Sequence, residues 1–119
     1  MKLTDLEVYN LSIELSDQIW AIYSKMDNQI KFSTGQQIIR SADSVGANIA
    51  EGYGRYHFKE IIRFYYISRG SLYETNHWMY LLKRRGLIKQ FQYWEYEGLS
   101  IKLAIKLNNL IKVSKRQIQ

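Results

Sequence analysis

The 119-residue sequence contains no cysteine and no proline. The absence of cysteine excludes disulfide bonds, thiolate zinc sites, iron–sulfur clusters and a cysteine nucleophile. Because proline is the residue that most often breaks a helix, its absence favours long helices. No run approaches the ~20 apolar residues of a membrane helix, and charged residues precede any apolar run at the amino terminus. We therefore expect a cytoplasmic protein with no secretory signal and no membrane partner.

The remaining composition supplies enough material for one hydrophobic core. Hydrophobic residues make up 46% of the chain and aromatic residues 14%. A chain of this length is typical of one domain, so we expect a single domain over residues 1–119. The net charge is +6, which makes the protein basic.

Apolar residues recur at helical spacing in four segments, which predict four helices. The first covers about 4–26. The second begins near Ser33, where Ser33–Gln36 has the pattern of a capping box, and ends at Gly52 and Gly54 in the left-handed conformation that glycine tolerates. The third covers about 57–85 and stops at Gly86, where a glycine followed by Leu87 suits a Schellman cap. The fourth covers about 90–115. Short connections between them predict an all-α, antiparallel up-down four-helix bundle.

Three of the four predicted helices carry two apolar stripes, whereas a bundle helix needs one. The last helix shows this well, with one stripe of Phe91, Trp94, Ile101 and Ile105, and another of Tyr96, Leu99, Leu103, Leu107 and Leu110. A surplus stripe on a small protein indicates a partner surface, so we expect a homo-oligomer. The alternative is that the two stripes merge into one wide buried face.

Two segments resemble the motifs of one bacterial family. Residues 37–55 read QIIRSADSVGANIAEGYGR, and residues 70–74 read GSLYE. Both are similar to the hallmarks of the four-helix-bundle proteins first noticed in intervening sequences of 23S ribosomal RNA genes. Ser33 and Gly46 occupy places where that family commonly has proline, which puts the start and any kink of the second helix in question. The resemblance implies an antiparallel bundle that assembles as a ring, a homopentamer.

The resemblance also implies similarity to the accessory variability determinant of diversity-generating retroelements. That protein is a basic barrel that binds nucleic acid and a reverse transcriptase. By this resemblance, nucleic acid, a polymerase-type protein and further copies of the chain are the expected partners.

Positive charge is concentrated in the second half of the chain. Residues 55–89 carry eight Lys and Arg against two Glu, whereas residues 1–27 carry two Lys against five acids. Cations neutralise phosphates and nearby aromatic rings can stack on bases. The predicted nucleic-acid-binding residues are Arg55, Lys59, Arg63, Lys83, Arg84, Arg85 and Lys89. The alternative is ordinary solubilising charge, but a symmetric ring would repeat each cluster and strengthen the field.

A ladder of polar residues lies on one face of the second predicted helix. Its members, Arg40, Ser44, Asn48 and Glu51, are spaced by four, four and three residues. We interpret them as a structural polar network that includes Glu74 of the third helix, because buried polar groups are normally paired. The alternative is a site for a small polar ligand.

Chemical motifs are sparse. Glu74 and His77 form Glu-x-x-His, a spacing found in carboxylate-bridged metal bundles, but such sites need two pairs and two further glutamates. We therefore expect no metal, no cofactor and no catalysis. The predicted function is that of a non-catalytic, homo-oligomeric accessory protein that binds RNA or single-stranded DNA. The alternative is a scaffold for a partner enzyme such as a reverse transcriptase, with no direct role in nucleic-acid binding.

Overall fold

The computed structural model describes residues 1–118 and is helical throughout, which confirms the all-α prediction. No strand occurs among these residues. The chain begins with a 3-10 turn and continues through five α-helices: Leu3–Asp5 (3-10), α1 Glu7–Ser24, α2 Asn28–Lys31, α3 Thr34–Tyr53, α4 Phe58–Arg84 and α5 Gln90–Arg116.

The four long helices contact one another in a closed cycle. Helix α1 packs on α3 and α5, and α4 packs on the same two helices from the opposite side. Between α3 and α4, residue numbers rise on one helix as they fall on the other: Val45 accepts a hydrogen bond from Ser68, and Ser41 one from Thr75. This arrangement is that of a helical bundle, measuring 48 × 24 × 21 Å.

One continuous hydrophobic core fills the centre of the bundle. Each long helix contributes residues at spacings of three, four and seven, as expected for one inward-facing stripe. Its fully buried members include Leu15, Ile19, Ile38, Ala42, Val45, Ile49, Leu72, Met79, Leu82, Leu103 and Leu107. Along the described chain, no helix is both long enough and apolar enough to cross a bilayer.

The region around the first helix differs from the prediction. We expected one helix over 4–26, but Leu6 is extended (φ −79°, ψ 119°) and separates the 3-10 turn from α1. The turn closes through the backbone N–H of Lys2, which donates to the Asp5 carboxylate at 2.8 Å. Helix α2 was not predicted at all; Asp27 starts it by accepting a hydrogen bond from the N–H of Ile30 at 3.2 Å.

The predicted ends of α3 are correct in position but differ in chemistry. Helix α3 starts after Ser33, yet the Ser33 hydroxyl donates to the carbonyls of Gln29 and Ile30, so the predicted capping box is wrong. Because α2 ends just before α3, those carbonyls lie nearest to the hydroxyl. The helix continues through Gly46 and Gly52 without a break.

Glycine has different roles at the ends of α3 and α4. Gly54 follows α3 with φ −82°, so the predicted left-handed end there is wrong. Gly86 has φ +70°, and Leu87 N–H donates to the Leu82 carbonyl while Gly86 N–H donates to that of Lys83. These two bonds define a Schellman motif, which confirms the predicted stop.

Candidate nucleic-acid interface

The first predicted basic cluster lies at the start of α4, and part of its charge is already engaged. The Arg55 guanidinium pairs with Glu51 at 2.7 Å and with Glu60 at 3.4 Å. It also lies 5.0 Å from the ring centre of Phe64. Two carboxylates therefore offset the charge of Arg55, which leaves the exposed side chains of Lys59 and Arg63 as the cations more available to a ligand.

The second predicted cluster surrounds the turn between α4 and α5. Arg84, Arg85 and Lys89 are exposed there, and the ammonium group of Lys83 lies 4.6 Å from the ring centre of Tyr93. The Schellman turn at Gly86 holds Lys83, Arg84 and Arg85 at the carboxyl end of α4, where the helix dipole favours positive charge.

The structure does not bring the two clusters together. The two clusters lie at opposite ends of α4, a continuous helix of 27 residues, and Arg63 precedes Lys83 by twenty residues. At 1.5 Å per residue, roughly 30 Å separates them along the helix axis. The predicted residues thus form two basic ends of the bundle rather than one patch.

A further lysine, which the sequence did not predict, lies beside the α4–α5 turn. Lys25, at the end of α1, lines the same groove as Lys89, and the groove, about 310 Å³, has an apolar floor that includes Ile22, Met26 and Leu87. An antiparallel arrangement places the end of the first helix beside the end of the third long helix. The predicted topology was therefore the signal that could have identified Lys25.

The polar ladder of α3 makes one ion pair with another helix, whereas its other hydrogen bonds and ion pairs are local in the chain. Arg40 pairs with Glu74 of α4 and also donates to Gln37 at 3.2 Å. The Ser44 hydroxyl and the Asn48 amide donate to backbone carbonyls four residues earlier in α3, at 2.7 Å and 2.8 Å. The remaining member, Glu51, pairs with Arg55. Only Arg40 and Glu74 link the helices through this ladder.

The Glu74 carboxylate interacts with more than one neighbouring side chain. Besides Arg40, it accepts a hydrogen bond from the indole N–H of Trp78 at 3.0 Å. The His77 ring packs edge-on against Trp78, with centroids 4.8 Å apart. Across residues 1–118 there is no cluster of three or more His, Cys, Asp or Glu side chains that could hold a metal ion.

Polar groups also meet between α4 and α5. The Asn76 side-chain oxygen accepts hydrogen bonds from the Tyr96 hydroxyl at 2.5 Å and the Ser100 hydroxyl at 2.7 Å. Tyr96 is buried, and this burial raises the pKa of its phenol well above the ordinary value of 10. Burial also raises the pKa of Tyr65 and Tyr93. These phenols therefore stay neutral in the folded protein, and that of Tyr96 donates a hydrogen bond to Asn76.

The two stripes of α5 lie on opposite faces of the helix. Tyr96, Leu103 and Leu107 are in the core, whereas the other stripe remains in solvent, with exposed fractions of 55% for Phe91, 62% for Trp94, 57% for Ile101 and 56% for Ile105. The predicted second stripe of α4 consists of Phe64, Ile67, Trp78 and Leu81, and all of these except the exposed Ile67 are half-buried. The alternative that the two stripes of a helix merge into one wide buried face therefore describes α4 but not α5. We call the four exposed residues the outer α5 face.

These features place the chain in the class of small all-helical bundle proteins. The family model of the 23S rRNA-intervening sequence protein matches residues 4–109. The chain therefore belongs to that family, as its motifs suggested.

A solved structure agrees with this assignment. The chain is similar to a crystal structure of a protein of unknown function from the S23 ribosomal protein family of Bacteroides thetaiotaomicron, with 30% sequence identity and a TM-score of 0.82. The similarity covers 88% of this chain and 98% of that one. No curated protein matches the chain.

Proposed function

We propose that the protein is a non-catalytic, cytoplasmic accessory factor that binds RNA or single-stranded DNA as a ring-shaped homo-oligomer. The observation that carries this proposal is the basic end formed by Lys25 with the α4–α5 turn, where Arg84, Arg85 and Lys89 are exposed. Cations grouped in this way neutralise neighbouring phosphates and release their counterions.

Oligomerisation would multiply the effect of that basic end. We propose an antiparallel up-down bundle that assembles through the outer α5 face, since an exposed apolar stripe of this kind is typical of a partner surface. The ring is proposed to be a pentamer, as the motif resemblance implies. Five copies would repeat the basic end around one axis, and the summed field would attract a polyanion more strongly than one protomer does.

The test is a binding titration with fluorescently labelled single-stranded RNA and DNA over a series of salt concentrations. We expect binding at low ionic strength, with log K falling linearly with log salt by ~0.7 per phosphate contacted. The Lys25→Gln and Arg84→Gln variants should weaken binding and flatten this slope. Lys102→Gln, which removes an exposed lysine from the middle of α5, is the matched control. Failure to retain either nucleic acid at low salt would show the proposal to be wrong.

A second candidate function is supported by the outer α5 face. An apolar surface of this kind also suits a protein partner, so the chain would act as a scaffold for an enzyme such as a reverse transcriptase. In that case Trp94→Lys would abolish capture of the partner, while the salt titration would show no binding of nucleic acid by the wild-type protein.

A further inference from the structure

Helix α4 contains a repeat of tyrosine and polar residues at intervals of seven. The pattern Tyr-x-x-polar occurs as Tyr66–Arg69, Tyr73–Asn76 and Tyr80–Lys83. A spacing of seven residues is close to two turns, so each set stays on one side of the helix and successive members lie ~10.5 Å apart along the axis. The repeat therefore forms a track along α4 rather than a belt around it.

The track borders the groove between α4 and α5. Arg69 donates to the Asn108 side chain of α5 at 3.1 Å, Asn76 accepts from Tyr96, and Lys83 lies over the ring of Tyr93. All three polar members of the repeat thus contact α5. The tyrosines lie one turn away from them on the same side, where Tyr73 is 54% exposed and Tyr80 48% exposed.

Cations lie at the two ends of this groove, and the exposed rings of Tyr73 and Tyr80 lie between them. Arg69 and Lys115 lie 4.7 Å and 5.0 Å from the ring centre of Tyr66. With Lys83, three cations line the groove, whereas Glu97 is the carboxylate beside the recess near Asn76. Cations over aromatic faces combined with exposed rings are typical of surfaces that bind single-stranded nucleic acid, where bases stack and phosphates pair with cations.

The recess in the groove has a suitable size and polarity for one base. It measures about 180 Å³, which is smaller than the ~300 Å³ at which small-molecule sites begin. It is lined by Asn76, Tyr93, Tyr96, Glu97, Ser100 and Ile101, and Ile101 stands at its border with the outer α5 face. Asn76 lies midway between Tyr73 and Tyr80 in the sequence. A base stacked on either ring would have this polar recess beside it.

We propose that the α4–α5 groove is a stacking track for single-stranded nucleic acid. Tyr73 and Tyr80 stack on bases, and Arg69, Lys83 and Lys115 face the phosphates. Tyr73 and Tyr80 are ~10.5 Å apart along the helix axis, a rise that equals about three stacked nucleotides at ~3.4 Å per step. Bases in a duplex are stacked on each other, so the track selects single strands. This inference rests on the proposed function and specifies where the bases bind.

The experiment compares an oligothymidylate with an abasic strand of equal length, each titrated by fluorescence anisotropy. Tyr73→Ala and Tyr80→Ala should each weaken oligothymidylate binding roughly tenfold, because one base loses its stacking partner. The slope of log K against log salt should stay unchanged, since no cation is removed. Binding of the abasic strand should be insensitive to both substitutions.

Two controls separate stacking from folding. Tyr73→Phe and Tyr80→Phe keep the ring and should bind like the wild type, and Tyr56→Ala removes a ring that is 89% exposed but lies outside the groove. The inference is wrong if the alanine variants bind oligothymidylate as tightly as the wild type, or weaken the abasic strand equally. It is also wrong if they lower the sedimentation mass, which would make the groove a contact between copies. If the wild-type protein binds neither the oligothymidylate nor the abasic strand, the proposed function itself is wrong.

Discussion

Gly52 of α3 lies directly against the ring of Tyr65 in α4. A Cβ atom added to Gly52 would stand 2.8 Å from Tyr65 Cε1 and 3.1 Å from the backbone oxygen of Ile61. The first distance is shorter than a real Cβ contact, and the second is tight against a backbone oxygen that cannot rotate away. The absence of a side chain at Gly52 therefore allows α3 and α4 to approach closely here, and this packing role replaces the predicted left-handed helix end.

The first prediction follows from this contact. We expect Gly52→Ala to lower the free energy of unfolding by about 1–3 kcal/mol, because the methyl group overpacks the α3–α4 contact. Gly70→Ala is the matched control, since a Cβ there meets nothing within 4 Å. The control should instead stabilise the protein by up to ~1 kcal/mol through helix propensity. Equal effects of the two substitutions in urea denaturation would contradict the role given to Gly52.

The second prediction concerns Gly46, which stands where the family commonly has proline. A Cβ at Gly46 would lie 2.7 Å from the Ser12 hydroxyl oxygen, and that hydroxyl donates to the Tyr9 carbonyl at 2.6 Å. Gly46→Ala should force the hydroxyl to leave its acceptor, which costs about 1 kcal/mol. In a Ser12→Ala background the clash disappears, and Gly46→Ala should stabilise. A double-mutant cycle by chemical denaturation measures the coupling; a value of zero would show that the two residues are independent.

The third prediction addresses assembly through the outer α5 face. The wild-type protein should sediment as an oligomer at micromolar concentration, and Ile101→Glu should dissociate it while leaving the helical content unchanged, because Ile101 is exposed in the protomer. Phe32→Glu is a matched control, since Phe32 is 63% exposed but belongs to the connection between α2 and α3 rather than to α5. A wild-type protein that sediments as a single protomer would contradict the proposed assembly.

The fourth prediction is a loss of stability at alkaline pH. Burial raises the pKa of Tyr96 in the folded protein above its unfolded value of 10. The contribution of the neutral Tyr96 phenol to the free energy of unfolding is therefore complete below pH 10. It is lost as the pH rises above 10, where the unfolded chain releases a proton that the folded chain retains. Tyr96→Phe should lose about 1 kcal/mol at neutral pH through the missing hydrogen bond to Asn76.

Above pH 10 the two proteins should diverge in slope. Stability of the wild type should fall more steeply than that of Tyr96→Phe, by up to ~1.4 kcal/mol per pH unit for this one group. Urea melts at several pH values between neutral and strongly alkaline measure this difference. Parallel curves would show that Tyr96 titrates alike in the folded and unfolded chain.

The candidate site was only partly predictable from the sequence. The basic residues of the α4–α5 turn were identified because they adjoin a helix stop that local sequence encodes. Lys25 was missed because it joins them only when α1 packs against α5. The pairing of Arg55 with Glu60 could not be predicted for the same reason, since it depends on how the chain turns between α3 and α4.

The sequence by itself determined the four long helices, the Schellman stop at Gly86 and the presence of two apolar stripes on α5. Each of these depends on residues within about two helical turns, whose spacing and capping chemistry act locally. Only the tertiary structure decided which α5 stripe enters the core, that Gly52 packs against Tyr65, and which cations lie together at each end of the bundle. Those outcomes depend on contacts between residues far apart in the chain, where packing and charge pairing of neighbouring helices override local preference.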